Sequence, residues 1–376
     1  MCAQTSISLP RSKSIVIRCL IIHYLKTGTL LPVFDNDPND IQIVYNALKQ
    51  MLERDKTSVT ERCVIDVEDC GTAYRFLIAL LAAIPGKWLL TGTPRLLQRP
   101  IIPLVNFLNA NGANIHLTEL GWHIEGTNIQ INDFNIDTSE TSQFASAILM
   151  IMENGERRME NGENPYIQMT KTILQIPNLT TSYLLSLSDW SAAVFWIANA
   201  LLRPNANYLL KDLHFDNLQG DAKIVTCFKK WGTVFTETEQ GIELKHTHHA
   251  DIPVQQIDVT QTPDIAMILA VLAVCYPFEL TLLGVKNLNL KESNRLDIML
   301  NELSQFTAVE KHSDNSITIH KRTQELPKAF HFNSYNDHRF VMAWSLFRNF
   351  GTVQIESAEC VKKSYPEFLD IFYMIA

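Results

Sequence analysis

Lys291, Glu292 and Arg295 bring two cations and a carboxylate into one short stretch. At i and i+4 a helix would present Lys291 and Arg295 on one face, with Glu292 sharing much of it. Such a face either binds an anion beside a proton-transfer carboxylate or is a solvated ion pair of little energetic weight. Asp264 stands directly before the apolar run 265–275. A carboxylate there is either an N-cap, the common role of Asp at such a place, or a charge whose burial is costly without a partner or a function. Ser14 and Arg18 lie one turn apart at the start of another apolar run. His246, His248 and His249 could hold a metal if alternate histidines were extended. No cysteine or carboxylate at sensible spacing completes that set, so it reads as a polar loop and no metal site is expected.

These groups need a frame, and the frame repeats. A polar or small-residue cluster leads into an apolar, helix-like run six times: SKSIVIRCLIIHYL (12–25), GTAYRFLIALLAAI (71–84), TSQFASAILMIM (141–152), DWSAAVFWIANALL (189–202), PDIAMILAVLAVC (263–275) and NDHRFVMAWSLF (336–347). Most are followed by an amphipathic helical stretch (41–52, 101–113, 222–233, 295–306) with apolar residues at three- and four-residue spacing. Short β-like stretches such as 114–120, 316–321 and 353–357 lie between them. The predicted unit is therefore strands with two helices, used six times. Runs that are apolar nearly all round belong in a core. Their polar N-terminal clusters must then emerge together, with free N–H groups and positive dipole ends suited to anions.

The 376 residues are 46% hydrophobic and 19% charged, which predicts a compact globular protein of two or three domains. Net charge is −8 with no basic block, which argues against a nucleic-acid partner. The longest apolar runs are too short to cross a bilayer. No basic region followed by an apolar one opens the chain, so no secretory signal is expected. Seven scattered cysteines without a CxxC pair fit reduced thiols in a cytoplasm.

An ordered set of motifs then becomes recognisable. Leu9-Pro10-Arg11-Ser12-Lys13-Ser14 with Arg18 comes first, followed by Gly71-Thr72-Ala73-Tyr74-Arg75, Pro94-Arg95 with Arg99-Pro100, Thr141-Ser142-Gln143 and Pro165-Tyr166-Ile167. Asp189-Trp190-Ser191-Ala192, Gly220-Asp221, Pro263-Asp264, Asn287 with Lys291-Glu292 and Arg295, Tyr335-Asn336-Asp337-His338-Arg339, and Lys363 complete the set. Spanning nearly the whole chain, it resembles the EPSP synthases. The resemblance implies an α/β protein with the two-domain inside-out α/β barrel of the enolpyruvyl transferases, three repeated units per domain and the site between the domains. Residues 13–186 would form the inserted domain, and 1–12 with 187–376 the discontinuous one.

That family joins phosphoenolpyruvate to the 5-hydroxyl of shikimate 3-phosphate through a tetrahedral intermediate and releases phosphate, without cofactor or metal. By resemblance, Lys13, Asp264 and Glu292 are catalytic. Lys13, Gly71, Arg99, Gln143, Arg295, Arg339 and Lys363 would bind phosphoenolpyruvate. Lys13, Ser14, Arg18, Thr141, Ser142, Gln143, Tyr166, Asp264, Asn287 and Lys291 would bind shikimate 3-phosphate. Arg75 would support the glycine turn. The resemblance also implies a cytoplasmic monomer, and Gly71 implies inhibition by glyphosate.

Three departures stand out. Arg11 replaces the usual glycine before Ser-Lys-Ser, which would strain a turn that needs positive φ. Glu163 falls where the family places a phosphate-binding Ser. The third unit is abbreviated. Two rival readings follow: a UDP-N-acetylglucosamine enolpyruvyl transferase, which Lys13-Ser14 and Arg18 oppose, and a non-catalytic binding relative, which the retained Lys13, Asp264, Glu292 and Arg339 oppose.

Overall fold

A computed structural model describes residues 4–54, 62–131, 134–152, 164–203, 205–215, 218–246 and 251–375. The chain divides into two compact units. The first comprises Met1–Ser12, Asn36–Pro38 and Leu185–Ala376, the second Lys13–Asp35 and Asn39–Leu184. The elements begin with β1 (Thr5–Ile7), α1 (Lys13–Thr27), α2 (Asn39–Glu53), β2 (Arg62–Asp66), α3 (Gly71–Ala83), β3 (Gly86–Thr91), α4 (Pro94–Leu97), α5 (Ile102–Ala110), β4 (Asn114–Thr118) and β5 (Gly121–Gly126). Then come α6 (Gln143–Ile151), α7 (Pro165–Gln175), α8 (Thr181–Leu185), α9 (Trp190–Leu202), β6 (Asn207–Lys211), α10 (Val225–Lys230), β7 (Thr233–Thr238), β8 (Gly241–His246) and β9 (Gln255–Asp258). The chain ends with α11 (Ala266–Cys275), β10 (Leu280–Leu283), α12 (Arg295–Leu303), β11 (Val309–Ser313), β12 (Ser316–Ile319), β13 (Ala329–Asn333), α13 (His338–Ser345), β14 (Thr352–Glu356) and α14 (Phe368–Ile375).

All six apolar runs form helices: α1, α3 and α6 in the second unit, and α9, α11 and α13 in the first. Their uniform hydrophobicity matches their burial, and no residue of α11 is more than 2% exposed. Local chemistry starts several of them. Asp189 accepts from the Ala192 amide at 3.1 Å to cap α9, and Asp337 accepts from the Arg339 amide at 3.0 Å to cap α13.

Three sheets share one topology: β2-β3-β5-β4 in the second unit, and β1-β6-β8-β7 and β9-β10-β12-β11 in the first. In each, the first two strands are parallel, and an antiparallel hairpin lays its second strand on the second of them. A fourth copy is reduced to the parallel pair β13-β14. The likeness reaches individual turns. In Thr118-Glu119-Leu120-Gly121 and Thr238-Glu239-Gln240-Gly241 the threonine hydroxyl donates to the glycine carbonyl at 2.9 Å in both. Both glycines are required, because each has φ near +130° and a Cβ would fall 2.5 Å from the Leu90 carbonyl oxygen or 2.1 Å from that of Leu210.

This repeat positions the chemistry. The first strand of three copies ends in an Asx turn, in which Asp66, Asp258 and Asn333 accept the amides of Glu68, Thr260 and Tyr335 at 2.8, 2.8 and 2.6 Å. Each turn launches a short loop into a buried helix, so Gly71, Asp264 and Arg339 arrive at corresponding helix beginnings.

The expectation of strands around all six buried helices is corrected. Among the described residues, α1 with α2 and α6 with α7 have no sheet of their own. Helices supply the cover instead: α1 packs on α2, α6 and α7, and α6 packs on α3 and α7. Ile41, Val44 and Leu48 of α2 and Ile167, Met169 and Ile173 of α7 are buried in that cover. Among the described residues no helix is long and apolar enough to cross a membrane.

Candidate active site

In the first unit, four segments carrying basic and acidic residues meet. Asp264 sits in a single 3-10 turn, Pro263–Ile265, that runs into α11. It does not cap that helix; its carboxylate is gripped by cations. Arg295 Nη1 donates to Oδ1 at 2.9 Å, Arg339 Nη2 donates to Oδ2 at 3.3 Å, and Lys291 Nζ lies 3.7 Å from Oδ1. Arg295 also donates through Nη2 to Glu292 at 2.5 Å and through Nε to Asp337 at 2.7 Å. Lys363 Nζ is 3.5 Å from the other Glu292 oxygen.

The helix predicted across Lys291–Arg295 is corrected. A 3-10 turn, Lys286–Leu290, precedes Lys291, whose backbone is extended, and α12 starts at Arg295. Residues 291–294 therefore bend rather than coil. Lys291 and Arg295 still converge, because both reach Asp264.

Electrostatics follow from burial and pairing. Burial pushes the Asp264 carboxyl up, but Lys291, Arg339 and Arg295 together hold it well below the usual carboxylate range. Arg295 and Arg339 are almost completely buried. Burial would loosen their protons, yet the surrounding carboxylates raise both guanidiniums above their ordinary value. Asp337, fully buried, holds Arg295 through both oxygens while its Oδ1 caps α13.

The second unit carries a different arrangement. Arg18, 1% exposed, donates to Thr170 Oγ1 at 2.7 Å, to the Ser14 carbonyl at 2.7 Å and to Ser146 Oγ at 3.1 Å. Its guanidinium lies over Phe76, 4.9 Å from the ring centroid. Among the described residues no carboxylate pairs with it. Burial accordingly lowers its pKa to about 10, with only small opposing contributions from Tyr166 and Cys19. Tyr166 opens α7, where Asn164 caps its amide at 3.0 Å. Lys13 pairs with buried Asp40 at 2.9 Å.

Gly71 begins α3 against the Arg99 guanidinium, where a Cβ would fall 2.2 Å from Nη1. Arg75 donates to the Gly71 carbonyl at 3.3 Å and to Gln143 Oε1 at 2.8 Å, and so braces the glycine turn as expected. Gln143 in turn donates to Thr72 Oγ1 at 3.0 Å. The Thr141 hydroxyl accepts the Gln143 amide at 3.2 Å, and Ser142 stands at the N-cap of α6 without a side-chain cap bond.

Thus Asp264, Glu292, Lys291, Arg295, Arg339 and Lys363 form one cluster. Gly71, Arg99 and Gln143 form a second, Ser14, Arg18 and Tyr166 a third, and Lys13 stands with Asp40. Asn287, half-buried, lies in the 3-10 turn before Lys291. Glu163 and the histidines at 248 and 249 lie outside the described residues. His246 closes β8 and is buried, 3.4 Å from Thr233 Oγ1.

Arg11 has no positive φ, so the glycine replacement strains nothing. It bridges to Ser188 through its backbone and pairs with Asp37 through its side chain. Ligand atoms of Glu292, Asp337 and His338 lie within 4.8 Å of one another, a spacing a metal could use, but both carboxylates already accept from Arg295.

Sequence reasoning gave no role to Asp337, Asp40, Ser146 or Thr170. An Asp before an apolar helix signals the first as a cap, and a Ser set inside the apolar part of the 141–152 run, after Phe144, signals Ser146. Nothing local in the sequence marks Asp40 as the partner of Lys13.

Fold and clusters together define a class, the enolpyruvyl transferases. The structure is similar to the EPSP synthase of Acinetobacter baumannii, with a TM-score of 0.67 at 18% identity over 99% of this chain and 95% of that one. It is also similar to the enolpyruvyl transferase NikO of Streptomyces tendae, with a TM-score of 0.68 at 12% identity over 99% and 94%. Within the class, the family model for EPSP synthase (3-phosphoshikimate 1-carboxyvinyltransferase) matches residues 6–372. A 3-phosphoshikimate 1-carboxyvinyltransferase of Bacteroides fragilis is 31% identical, covering 98% of this chain and 94% of its own. One from Vibrio cholerae is 27% identical, covering 98% and 96%. The chain belongs to the EPSP synthase family and is an enzyme of that class.

Proposed function

We propose that the chain transfers the enolpyruvyl group of phosphoenolpyruvate to the 5-hydroxyl of shikimate 3-phosphate. The observation that carries this reading is the first-unit cluster, in which four cations gather on Asp264 and Glu292. In the addition step the hydroxyl oxygen bonds to the central carbon of phosphoenolpyruvate and loses its proton, while the methylene gains one. The tetrahedral intermediate then loses phosphate and a methyl proton to give the enol ether.

Glu292 and Lys13 are the proton-transfer partners of the methylene carbon. Asp264 orients the hydroxyl, because a carboxylate held this low is a weak base. Its basicity rises if Arg339 and Lys291 turn towards bound anions. Arg295, Arg339 and Lys363 bind the phosphoenolpyruvate anion, with Gly71, Arg99 and Gln143 on its phosphate. Arg forks suit these groups because they donate in pairs. Ser14 and Arg18 hold the shikimate carboxylate, Thr141 and Ser142 the 3-phosphate, and Tyr166, Asn287 and Lys291 complete that side. That no carboxylate among the described residues pairs with Arg18 supports its role as an anion receptor. Glyphosate is expected to compete with phosphoenolpyruvate beside Gly71, and steady-state inhibition at varied phosphoenolpyruvate tests that.

The decisive experiment is phosphate release by EDTA-treated protein with each substrate omitted in turn. Release should require both substrates. A well-folded protein that releases none with both present would sink the proposal, and binding of shikimate 3-phosphate without turnover would favour a non-catalytic relative.

A further inference from the structure

Asp221 is a buried acid to which the mechanism above gives no task. It lies in the 3-10 turn Gly220–Ile224, is 2% exposed, and its Oδ2 accepts the hydroxyl of Ser191 from the first turn of α9. Its Oδ1 has no hydrogen-bond partner among the described residues, an expensive state for a buried carboxylate. Arg339 carries the complementary defect: its Nε–H is buried and unpartnered, while Nη2 reaches Asp264. The two groups are close enough to act on each other's charge. The other charged groups acting on Asp221 are Asp264 from the turn before α11 and Asp189 at the α9 cap; Lys223 of its own turn is exposed.

An arginine that grips an anion with both terminal nitrogens must have its fork fixed from behind, and the Nε–H is the donor left for that anchor. We propose that Asp221 is a positioning residue for the transfer reaction: when Arg339 turns from Asp264 to the phosphoenolpyruvate carboxylate, Asp221 Oδ1 accepts the Arg339 Nε–H and holds the fork. This rests on the role given to Arg339 in the proposed function. Asp221 is the suitable acceptor because its free oxygen and the free donor share one buried neighbourhood.

A protonation change accompanies the exchange. Burial raises the Asp221 carboxyl to about 7; the Ser191 bond and Arg339 pull it down, and Asp264 and Asp189 push it up. Drawing the Arg339 guanidinium onto Oδ1 favours the ionised form. One proton then leaves the carboxyl for water as the Arg339 bond forms.

The test is the pH dependence of kcat/KM for phosphoenolpyruvate in wild type and Asp221→Asn. Asparagine imitates the protonated carboxyl, so the two enzymes should agree near pH 5.5. Their ratio should climb to about tenfold near pH 8.5, the size of one charge-assisted hydrogen bond. Taking the ratio removes the ionisation of phosphoenolpyruvate itself. KM for phosphoenolpyruvate should account for the change, with KM for shikimate 3-phosphate altered less than about twofold. Ser191→Ala removes a bond that favours the ionised carboxylate and should move the climb to higher pH. A ratio that is constant across pH, or a loss shared equally by both substrates, assigns Asp221 a merely structural role and overturns the proposal. Absence of turnover in wild type would instead defeat the functional reading beneath it.

Discussion

Two buried arginines solve opposite problems. Arg295 in the first unit is surrounded by Asp264, Glu292 and Asp337, so its charge is met wherever it points. Arg18 in the second unit is equally buried, yet hydroxyls and a carbonyl are its hydrogen-bond partners. The first guanidinium is raised by its neighbours, and the second is lowered by burial. A saturated cation holds a scaffold together and can lend only part of its charge to a ligand. An unsaturated one keeps the fold under electrostatic tension and has its full charge to give. The proposed chemistry needs both, one to organise reacting groups and one to receive a carboxylate.

The largest effect should come from removing what the saturated region organises. Asp264→Ala is expected to lower kcat by about 10²-fold, the usual cost of misplacing a reacting group, here the attacking hydroxyl. Shikimate 3-phosphate binding, measured by calorimetry, should weaken less than about threefold. Equal losses in both would make Asp264 a binding group only.

Next comes the same substitution in both regions. Arg295→Met leaves three carboxylates without their shared cation and should destabilise the fold by ~3–5 kcal/mol. Arg18→Met should be neutral or mildly stabilising in urea denaturation. Its hydroxyl partners remain satisfied, because Thr170 donates to Ser146 at 3.0 Å and lies 2.9 Å from the Tyr166 carbonyl. The Arg18 variant should nonetheless lose shikimate 3-phosphate affinity by ~2–3 kcal/mol, the weight of a charged hydrogen-bonded contact. If Arg18→Met unfolds the protein as readily as Arg295→Met, the contrast between the regions is broken.

Asp221 offers a comparison within the saturated region. Its folded value of about 7 lies above the 3.8 of an ordinary aspartate, so between those values the folded chain keeps a proton that the unfolded chain has lost. The stability this gives is full below pH 3.8 and is lost as pH rises towards 7. Asp221→Asn should therefore flatten the pH dependence of the urea midpoint across that window. At pH 8 it should be the more stable protein, by on the order of 2–4 kcal/mol. Parallel curves for the two proteins would show that the carboxyl is ionised throughout.

The sequence made the six buried helices legible because a run that is apolar all round has only one place to go. Residues 265–275 show this plainly, as do the polar clusters that mark where such helices emerge. Sheets were less legible. Strands of three to six residues carry little pattern, and helices α2 and α7 replace the sheet cover around α1 and α6. The i, i+4 spacing of Lys291 and Arg295 suggested a helix that the extended backbone at Lys291 interrupts. Convergence on Asp264 came from tertiary packing, which no local spacing encodes. Arg11 is a similar case: its φ and its partner Asp37 depend on where residues 36–38 return in the fold.

The smallest effect tests whether a half-buried cation can be displaced without harm to the fold. Gly71 has no positive φ and begins a helix, so alanine suits its backbone and should gain up to ~1 kcal/mol of helix propensity. The added methyl nonetheless lands on the Arg99 guanidinium, 2.2 Å from Nη1 and 2.7 Å from Cζ. Those atoms are the far end of a flexible chain, so the head swings aside and the helix stays. Gly71→Ala should therefore melt within about 2 °C of wild type, while KM for phosphoenolpyruvate rises about 3–10-fold, ~1 kcal/mol for a displaced charge-assisted contact. KM for shikimate 3-phosphate should hold, because Arg18 and its hydroxyl partners are untouched. An unchanged KM for phosphoenolpyruvate would mean that the Arg99 head does not serve that anion, and that Gly71 keeps open a space for something other than a guanidinium.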